Sequence, residues 1–259
     1  MKSVFATPVT ARADKQLIGE VAKRLDAPAR RLFLKQSISL GSLAMLTGCN
    51  TSTEQGIEDM LMYVSRFNDR VQWALFNPDK LAQTYPDSMI AKPFPFNAFY
   101  GIKDVRIVDG NAWKLELSGL VGDKRPWRWV DFVQLPHVAH TTRHICVEGW
   151  SAIGKWGGVP LRVFLERIGA DLTAKYVGFK CADDYHTSID MPTALHPQTL
   201  MTFSFADKTL PYEYGYPMKI RMPTKLGYKN PKHVTALSVS NTNPGGYWED
   251  QGYNWFGGS

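Results

Sequence analysis

The stretch RHICVEGW at residues 143–150 places Cys146, one of three cysteines, among apolar and aromatic neighbours. A lone cysteine in such surroundings is usually a small buried core residue. Here Arg143 and His144 precede it, and we expect them to favour the thiolate, which is the form that binds metals. The glycines that follow are typical of a backbone that packs closely around another group: Gly149, Gly154, Gly157 and Gly158. Cys146 is therefore a candidate metal ligand, with a structural cysteine as the alternative.

This stretch resembles the cysteine loop of the sulfite oxidase superfamily, and within it the loop of the bacterial molybdopterin oxidoreductases of the YedY/MsrP type. The resemblance extends from about Pro95 to the C-terminus. It implies an α+β, sheet-rich fold of the sulfite oxidase type in a single domain, with Mo-molybdopterin as cofactor. It also implies that Cys146 donates its thiolate to molybdenum and is the catalytic residue.

Further contacts with the pterin are implied by the same resemblance. They come from an Asn-x-x-Tyr element, from a strand and from a lysine-containing segment that binds the pterin phosphate in the family, where cations are the suitable partners. The implied cofactor contacts are Asn97, Tyr100, Gly101, Cys146, Cys181, Tyr214, Lys219, Asn230, Pro231 and Lys232.

The sequence departs from the family pattern at several of these positions. Serine or threonine commonly stands at Cys181, histidine or asparagine at Tyr214, and arginine at Lys219. The family also has Asp-Gly-Tyr where this chain has Asp-Asp-Tyr at residues 183–185. Lysine lacks the bidentate fork of arginine. Arg221 could compensate, but strand alternation places it on the same side as Lys219 at a different depth.

The positive charge of the chain is concentrated in its first residues. Residues 1–48 contain 8 Lys+Arg and 3 Asp+Glu, so that +5 of the formal net charge of +6 lies there. The remainder is close to neutral. This distribution removes the main argument for a nucleic-acid partner.

The same segment predicts export. Residues 29–35, ARRLFLK, resemble a twin-arginine signal, and the apolar run at 38–45 is too short to span a bilayer. The sequence LTGC at residues 46–49 resembles a lipoprotein cleavage box. We therefore expect residues 1–48 to be a signal peptide and residues 49–259 to be a periplasmic domain anchored by a lipid on Cys49. Cys181 would then have no disulfide partner.

Periodicity predicts the secondary structure coarsely. A packing helix is expected over residues 56–76 and a short amphipathic helix over 160–170. Strands are expected at 113–117, 176–181, 218–222 and 233–240, with further strand at 127–135. In the third strand, alternation separates three apolar residues from Lys219 and Arg221. The aromatic tail at 243–258 is expected to be ordered.

Two other kinds of site were considered from residue spacing. His137, His140 and His144, followed by Cys146, would suit zinc if they lay on one helix, but Pro136 argues against a continuous helix. Asp183 and Asp184 could act as an acid/base pair. Adjacent residues on extended backbone point to opposite sides, which favours a solvated turn.

The resemblance implies an oxidoreductase that transfers oxygen atoms at a cysteine-ligated molybdenum. It favours reduction of sulfoxides such as methionine sulfoxide, with electrons from a haem-containing membrane subunit or a cytochrome. Vertebrate and plant sulfite oxidases carry additional arginines around the metal, whereas Arg143 is the only arginine adjacent to Cys146. Sulfite oxidation and a non-catalytic, ligand-binding lipoprotein are the alternatives.

Overall fold

The computed structural model describes residues 54–259, in which ten strands and four α-helices carry the fold. The strands are β1 (Lys114–Gly119), β2 (Trp127–Arg128), β3 (Val138–Ile145), β4 (Ser151–Pro160), β5 (Tyr176–Cys181), β6 (His186–Asp190), β7 (Leu200–Phe205), β8 (Lys208–Thr209), β9 (Lys219–Arg221) and β10 (Val234–Ser240). The helices are α1 (Glu54–Leu75), α2 (Trp129–Phe132), α3 (Leu161–Arg167) and α4 (Met191–Ala194).

The strands form two five-stranded sheets. The first has the order β2-β1-β10-β5-β6, in which β1 and β10 are parallel and the other pairs are antiparallel. In the second, β3 and β4 form a hairpin, β4 pairs with β7, and both β8 and β9 pair with β7. One apolar core contains side chains from both sheets and from α3.

Several strands and one helix lie where the sequence predicts them. β5 has the predicted bounds, and β1, β9 and β10 differ from prediction by two residues or fewer at each end. The predicted helix at 160–170 is confirmed as the shorter α3, which buries Leu161, Phe164 and Leu165. Pro160 precedes it and Gly169 follows at φ +60°, a conformation that suits glycine at a helix end.

The prediction of strand at 127–135 is wrong beyond Arg128. The chain turns into α2 because the Asp131 side chain caps it, accepting a hydrogen bond from the Arg128 backbone N–H at 2.8 Å. Helix capping is a local side-chain effect that outweighs the apolar pattern here. The following segment leads into β3, the strand that carries His140 and His144.

Helix α1 forms as predicted, but the prediction that it packs through its apolar residues is wrong. Leu61, Val64 and Phe67 are exposed. Polar residues of the helix contact the C-terminal tail instead: Asp69 accepts a hydrogen bond from the Phe256 backbone N–H at 2.6 Å, and Gln72 accepts one from Gly258 at 3.1 Å. Among residues 54–259, no helix has both the length and the apolar character needed to cross a bilayer.

The glycines of β4 pack within the protein instead of enclosing another group, contrary to the prediction. A Cβ at Gly158 would lie 1.9 Å from the Met201 carbonyl oxygen, because β4 and β7 approach closely at a bulge. A Cβ at Gly154 would meet the rings of Phe205 and Phe94 at 2.9 Å. These glycines therefore allow close sheet packing behind the cysteine loop.

This packing gives a stability prediction. Gly158→Ala is expected to lower the free energy of unfolding by about 3 kcal/mol, because the new methyl group overlaps rigid backbone. Urea denaturation measures the change. Gly122→Ala is the matched control, since its Cβ would have its nearest neighbour at 3.5 Å. Equal stabilities for the two variants would contradict the packing argument.

Candidate cofactor site

A cleft of about 140 Å³ lies beside Cys146 and is lined by segments that are far apart in the sequence. These are residues 97–100, the cysteine loop, residues 183 and 185, the loop at 227–232 and two residues of the C-terminal tail. Six of the ten predicted cofactor contacts line it: Asn97, Tyr100, Cys146, Asn230, Pro231 and Lys232. The fold therefore brings most of the predicted site together.

Cys146 is held at the turn of the β3–β4 hairpin. Its backbone N–H donates to the Trp150 carbonyl at 2.9 Å, and Gly149 donates to the Cys146 carbonyl at 3.2 Å. Gly149 has φ +92°, which explains a glycine at this position. The Cys146 side chain is only 6% exposed, and its Sγ lies 3.5 Å from Glu148 Oε2. The hairpin thus presents one nearly buried thiol to the cleft.

The prediction that Arg143 and His144 promote the thiolate is wrong. Burial raises the pKa of the Cys146 thiol, and the nearby Glu148 carboxylate raises it further. Arg143 is exposed and lies over the Tyr85 ring, 5.6 Å from its centroid. Burial holds the pKa of His144 well below its usual value, so its ring is neutral. A bound metal cation is then the group best able to hold Cys146 as a thiolate.

Lys232 supplies positive charge to the cleft. Its Nζ donates to the backbone carbonyls of Asn97 at 2.6 Å and Glu213 at 2.8 Å. Burial lowers the pKa of Lys232 to about 7. No carboxylate lies within 4.0 Å of this Nζ among the described residues. An anion bound in the cleft would balance the positive charge of the Lys232 ammonium group.

Arg221, which sequence reasoning did not include in the site, fixes the walls of the cleft. Its Nη1 donates to Asn230 Oδ1 at 3.0 Å, and its Nη2 donates to the Arg143 carbonyl at 2.7 Å. One guanidinium therefore joins β9, the cysteine strand and the 227–232 loop. The Met222 backbone N–H also donates to Asn230 Oδ1, at 2.7 Å. Asn230 is thus held mainly by contacts within the protein.

Gly227 lines the cleft, and His144 lies directly behind it. The His144 ring is fully buried, and neither ring nitrogen has a hydrogen-bond partner among the described residues. A Cβ at Gly227 would lie 2.9 Å from His144 Nε2 and 3.3 Å from Asn97 Nδ2. Glycine is therefore needed at this wall. Unsatisfied buried nitrogens, a buried ammonium and a soft thiol together fit a sulfur-liganded metal on a phosphate-bearing organic group.

Tyr100 and Asp183 form one side of the cleft. Tyr100 donates to Asp183 Oδ2 at 2.8 Å, and burial raises the pKa of Tyr100 above its usual value. Asp184 is exposed at φ +64°, so the two aspartates do not face each other and the predicted solvated turn is confirmed. The positive φ also explains why the family has glycine at this position.

Four predicted contacts lie outside the cleft lining. Gly101 is exposed before a short 3₁₀-helix, and Cys181 is buried at the end of β5, where burial raises its pKa well above the usual value. Tyr214 donates to the Phe94 carbonyl at 2.8 Å. Lys219 is buried with its Nζ 4.9 Å from the Trp156 ring centroid. Their roles toward the cofactor stay predictions.

The zinc alternative fails on backbone geometry. His140 and His144 lie on the extended strand β3, opposite Trp156 and Ala152 respectively, so the helical spacing does not apply. Within residues 54–259, no three or more His, Cys, Asp and Glu side chains converge where they could hold a metal ion. Cys146 and Cys181 are both free thiols.

Four lysines lie at residues 219, 225, 229 and 232, in the segment predicted to bind the pterin phosphate. Two of them, Lys225 and Lys229, instead make contacts that involve the C-terminal tail. Lys229 pairs with Glu249 and donates to the Ser188 carbonyl at 2.6 Å. Lys225 lies 3.7 Å from Asp190 Oδ1 and over the Phe256 ring. These contacts order the tail as predicted. They also place Trp248 and Tyr253 in the cleft wall, which the sequence did not indicate.

Residues 102–248 match the family described as "Oxidoreductase molybdopterin binding domain". The chain belongs to this family, in the sulfite oxidase superfamily. The predicted sheet-rich fold, the molybdopterin cofactor and the oxidoreductase class are thereby confirmed. The match begins after Asn97, Tyr100 and Gly101, so it does not include the Asn-x-x-Tyr element.

Named relatives agree with this family. A protein of Azospira oryzae, assigned provisionally as the protein-methionine-sulfoxide reductase subunit YedZ1, is 60% identical over 255 residues, 97% of each chain. The protein-methionine-sulfoxide reductase catalytic subunit MsrP of Ralstonia nicotianae is 27% identical over 163 residues, 57% of this chain and 49% of the relative. MsrP of Xanthomonas campestris is 32% identical over 120 residues, which are 40% of this chain and 37% of the relative. The matches thus span half or less of the MsrP chains.

A solved structure shares the fold. The sulfane dehydrogenase SoxCD from Paracoccus pantotrophus superposes with a TM-score of 0.51 at 19% identity, covering 54% of this chain and 41% of that one. At this identity the likeness concerns the fold alone.

The buried Lys232 predicts how the stability of the cofactor-free protein depends on pH. Its pKa is about 7 when folded and has an ordinary value of 10.5. The unfolded chain therefore binds more protons between these values, so the free energy of unfolding rises with pH across this interval. Lys232→Met is expected to flatten the rise, as measured by urea denaturation at several pH values.

Lys180→Met, at an exposed lysine of β5, is the matched control and is expected to retain the wild-type slope. A Lys232→Met protein with an unchanged slope would show that Lys232 is not the source of the effect.

Proposed function

We propose that this protein is an exported oxidoreductase that reduces sulfoxides such as methionine sulfoxide, with Cys146 as the thiolate ligand of the molybdenum of its cofactor. The observation that carries the proposal is the convergence of Cys146 and Lys232 on one cleft. A soft thiolate suits the metal, and a cation suits the phosphate of the same cofactor. Family membership supports the class of reaction, and the methionine-sulfoxide reductase names of the relatives support the substrate.

Each part of the cleft has a separate task in this proposal. The bound cofactor supplies oxygen-atom transfer coupled to two electrons. Cys146 ligates the metal, Lys232 binds the phosphate, and Tyr100, fixed by Asp183, orients the pterin. Reduction of a sulfoxide to a sulfide consumes two electrons and two protons and releases water. The aromatic tail wall limits the access of bulk water to the cleft.

The charges of the cleft favour a sulfoxide over sulfite. Among the residues that line it, Lys232 is the one cation, and the carboxylic residues Glu148 and Asp183 lie in the same cleft. An anionic substrate would be repelled by the carboxylates while competing with a phosphate for the lysine. A neutral sulfoxide is not repelled by the carboxylates and does not compete with the phosphate for the lysine. The alternative of a non-catalytic lipoprotein is disfavoured because the family is one of oxidoreductases.

The location and the electron donor complete the proposal. The twin-arginine-like and lipobox-like sequences lie in residues 1–53, outside the described part of the chain. They support export to the periplasm and a lipid on Cys49. We propose a haem-containing membrane subunit or a cytochrome as electron donor. A lipid anchor would raise the effective concentration of such a partner.

Metal analysis tests the assignment of Cys146. Wild-type protein made in a host that synthesises the cofactor is expected to contain molybdenum and pterin and to show a visible charge-transfer band. Cys146→Ala is expected to lose that band and at least ~1,000-fold in kcat/KM, because the metal loses its thiolate ligand. Cys181→Ser is the matched control: it replaces the other buried thiol with a residue that is common at this position in the family, and it is expected to keep the band.

A Cys146→Ala protein that retained the band would exclude Cys146 as the ligand, and folded wild type without molybdenum or pterin would exclude the proposal.

The direction of turnover is tested on the same preparation. Electron-donor-driven reduction of methionine sulfoxide is expected to exceed sulfite oxidation in kcat/KM by about 100-fold or more, a difference of roughly 3 kcal/mol in transition-state binding. The reverse ranking would assign the protein to sulfite oxidation instead.

A further inference from the structure

We propose that Arg221 is a positioning residue that fixes the thiol of Cys146 relative to the loop at 227–232, which carries Lys232. The inference deepens the proposed function and rests on it, because Cys146 and Lys232 are the residues assigned there to the metal and to the phosphate of the cofactor. Arg221 is not among the residues that line the cleft, so it acts through those that do.

The guanidinium group of Arg221 holds a different part of the cleft with each of its terminal nitrogens. Nη1 donates to Asn230 Oδ1 and to the Met222 carbonyl, both at 3.0 Å. Nη2 donates to the Arg143 carbonyl at 2.7 Å and to Thr142 Oγ1 at 3.2 Å. The planar fork fixes the angle between these two sets of contacts, which a lysine at this position could not do.

The contacts of Nη2 act on the strand that ends at the cysteine. Thr142 and Arg143 belong to β3, and Cys146 follows the last residue of that strand directly. The Cys146 backbone N–H donates to the Trp150 carbonyl at 2.9 Å, so the thiol moves with the end of the hairpin. A shift of β3 at Arg143 therefore changes the direction in which the Cys146 Sγ points.

The contacts of Nη1 act on the loop that carries the cation. Asn230 lines the cleft two residues before Lys232. Its side chain also accepts a hydrogen bond from the Met222 backbone N–H at 2.7 Å and donates one to the Leu226 carbonyl at 2.9 Å. The loop is thus closed on itself through Asn230, and Arg221 attaches the closed loop to β3.

The side chain of Arg221 connects two strands that are not neighbours. β9 pairs with β7, β7 with β4 and β4 with β3, so that two strands separate β9 from β3. The guanidinium crosses this interval over Trp156 of β4, with its Cζ 5.9 Å from the ring centroid. Backbone pairing alone leaves the distance between Arg143 and Asn230 dependent on several intervening contacts, whereas the guanidinium sets it directly.

Arg221 carries a buried charge that has no counter-ion in the described part of the chain. It is 1% exposed, and among residues 54–259 no carboxylate lies within 4.0 Å of its guanidinium. Burial lowers the pKa of Arg221 to about 9, so it keeps its charge at neutral pH. A buried charge of this kind is costly, and an apolar side chain would fill the same space at less cost. Core packing therefore does not account for an arginine here, whereas joining two distant segments does.

Alkylation of Cys146 in full-length, cofactor-free protein tests the positioning. Cys49→Ser and Cys181→Ser leave Cys146 as the only thiol of the chain. Adding Arg221→Met is expected to raise the rate of reaction with iodoacetamide at least about tenfold, because hydrogen bonds from a charged donor are lost and the nearly buried thiol is exposed more often. Loss of positive charge alone would have the opposite effect, since a smaller thiolate fraction reacts more slowly.

Two variants separate the fork from the charge. Arg221→Lys keeps the charge but cannot hold both segments at once, so it is also expected to react faster than the parent. This variant carries the test if Arg221→Met does not fold. Arg143→Met is the matched control, because it removes an exposed arginine over Tyr85 and leaves the backbone carbonyl in place. Its expected rate is that of the parent.

Cofactor-loaded protein supplies a second measurement, in which Arg221→Met is expected to shift the visible charge-transfer band and Arg143→Met to leave it unchanged. Folded Arg221→Met and Arg221→Lys proteins that reacted at the parent rate would overturn the proposal. So would an equal increase in the Arg143→Met protein, or a band that did not shift. Wild-type protein without the band would contradict the proposed function, whereas the alkylation rates would still decide whether Arg221 positions the thiol.

Discussion

Buried positive charge is the constraint on which this structure depends. Five cationic side chains are buried between residues 219 and 232: Lys219, Arg221, Lys225, Lys229 and Lys232. A buried ammonium group is costly unless it finds partners. Lys229 forms an ion pair with Glu249, and Arg221 donates hydrogen bonds to carbonyl and amide oxygens. Lys232 contacts only backbone carbonyls and an aromatic ring.

Lys232 lines the cleft, where a bound anion would balance the charge of its ammonium group. A phosphate-bearing cofactor bound there would therefore stabilise the fold, since any ligand that binds only the folded state adds to its stability. Burial raises the pKa of the Cys146 thiol and lowers the pKa of the Lys232 ammonium, so each side chain is disfavoured in its charged form. A metal on a phosphorylated group would bring an opposite charge to both.

The sequence predicted those parts that depend on local patterns. β5 and the alternation of β9 follow from a period of two, and α3 follows from its apolar spacing between Pro160 and Gly169. The sequence also located Cys146 and Lys232, because short motifs carry them. It did not predict which way α1 faces, since periodicity reveals an apolar stripe but not the surface against which that stripe lies. Nor did it predict the hydrogen bond that Arg221 donates to the Arg143 carbonyl, because the two residues are far apart in the sequence.

The dependence of the cleft on the tail bears on how the protein matures. Trp248 and Tyr253, which complete the cleft wall, follow Cys146 by more than 100 residues in the sequence. A growing polypeptide emerging from the ribosome can form the β3–β4 hairpin but not the finished cleft. The cleft is therefore complete only once Trp248 and Tyr253 are in place, and a chain truncated before Trp248 would lack this wall even if both sheets were intact.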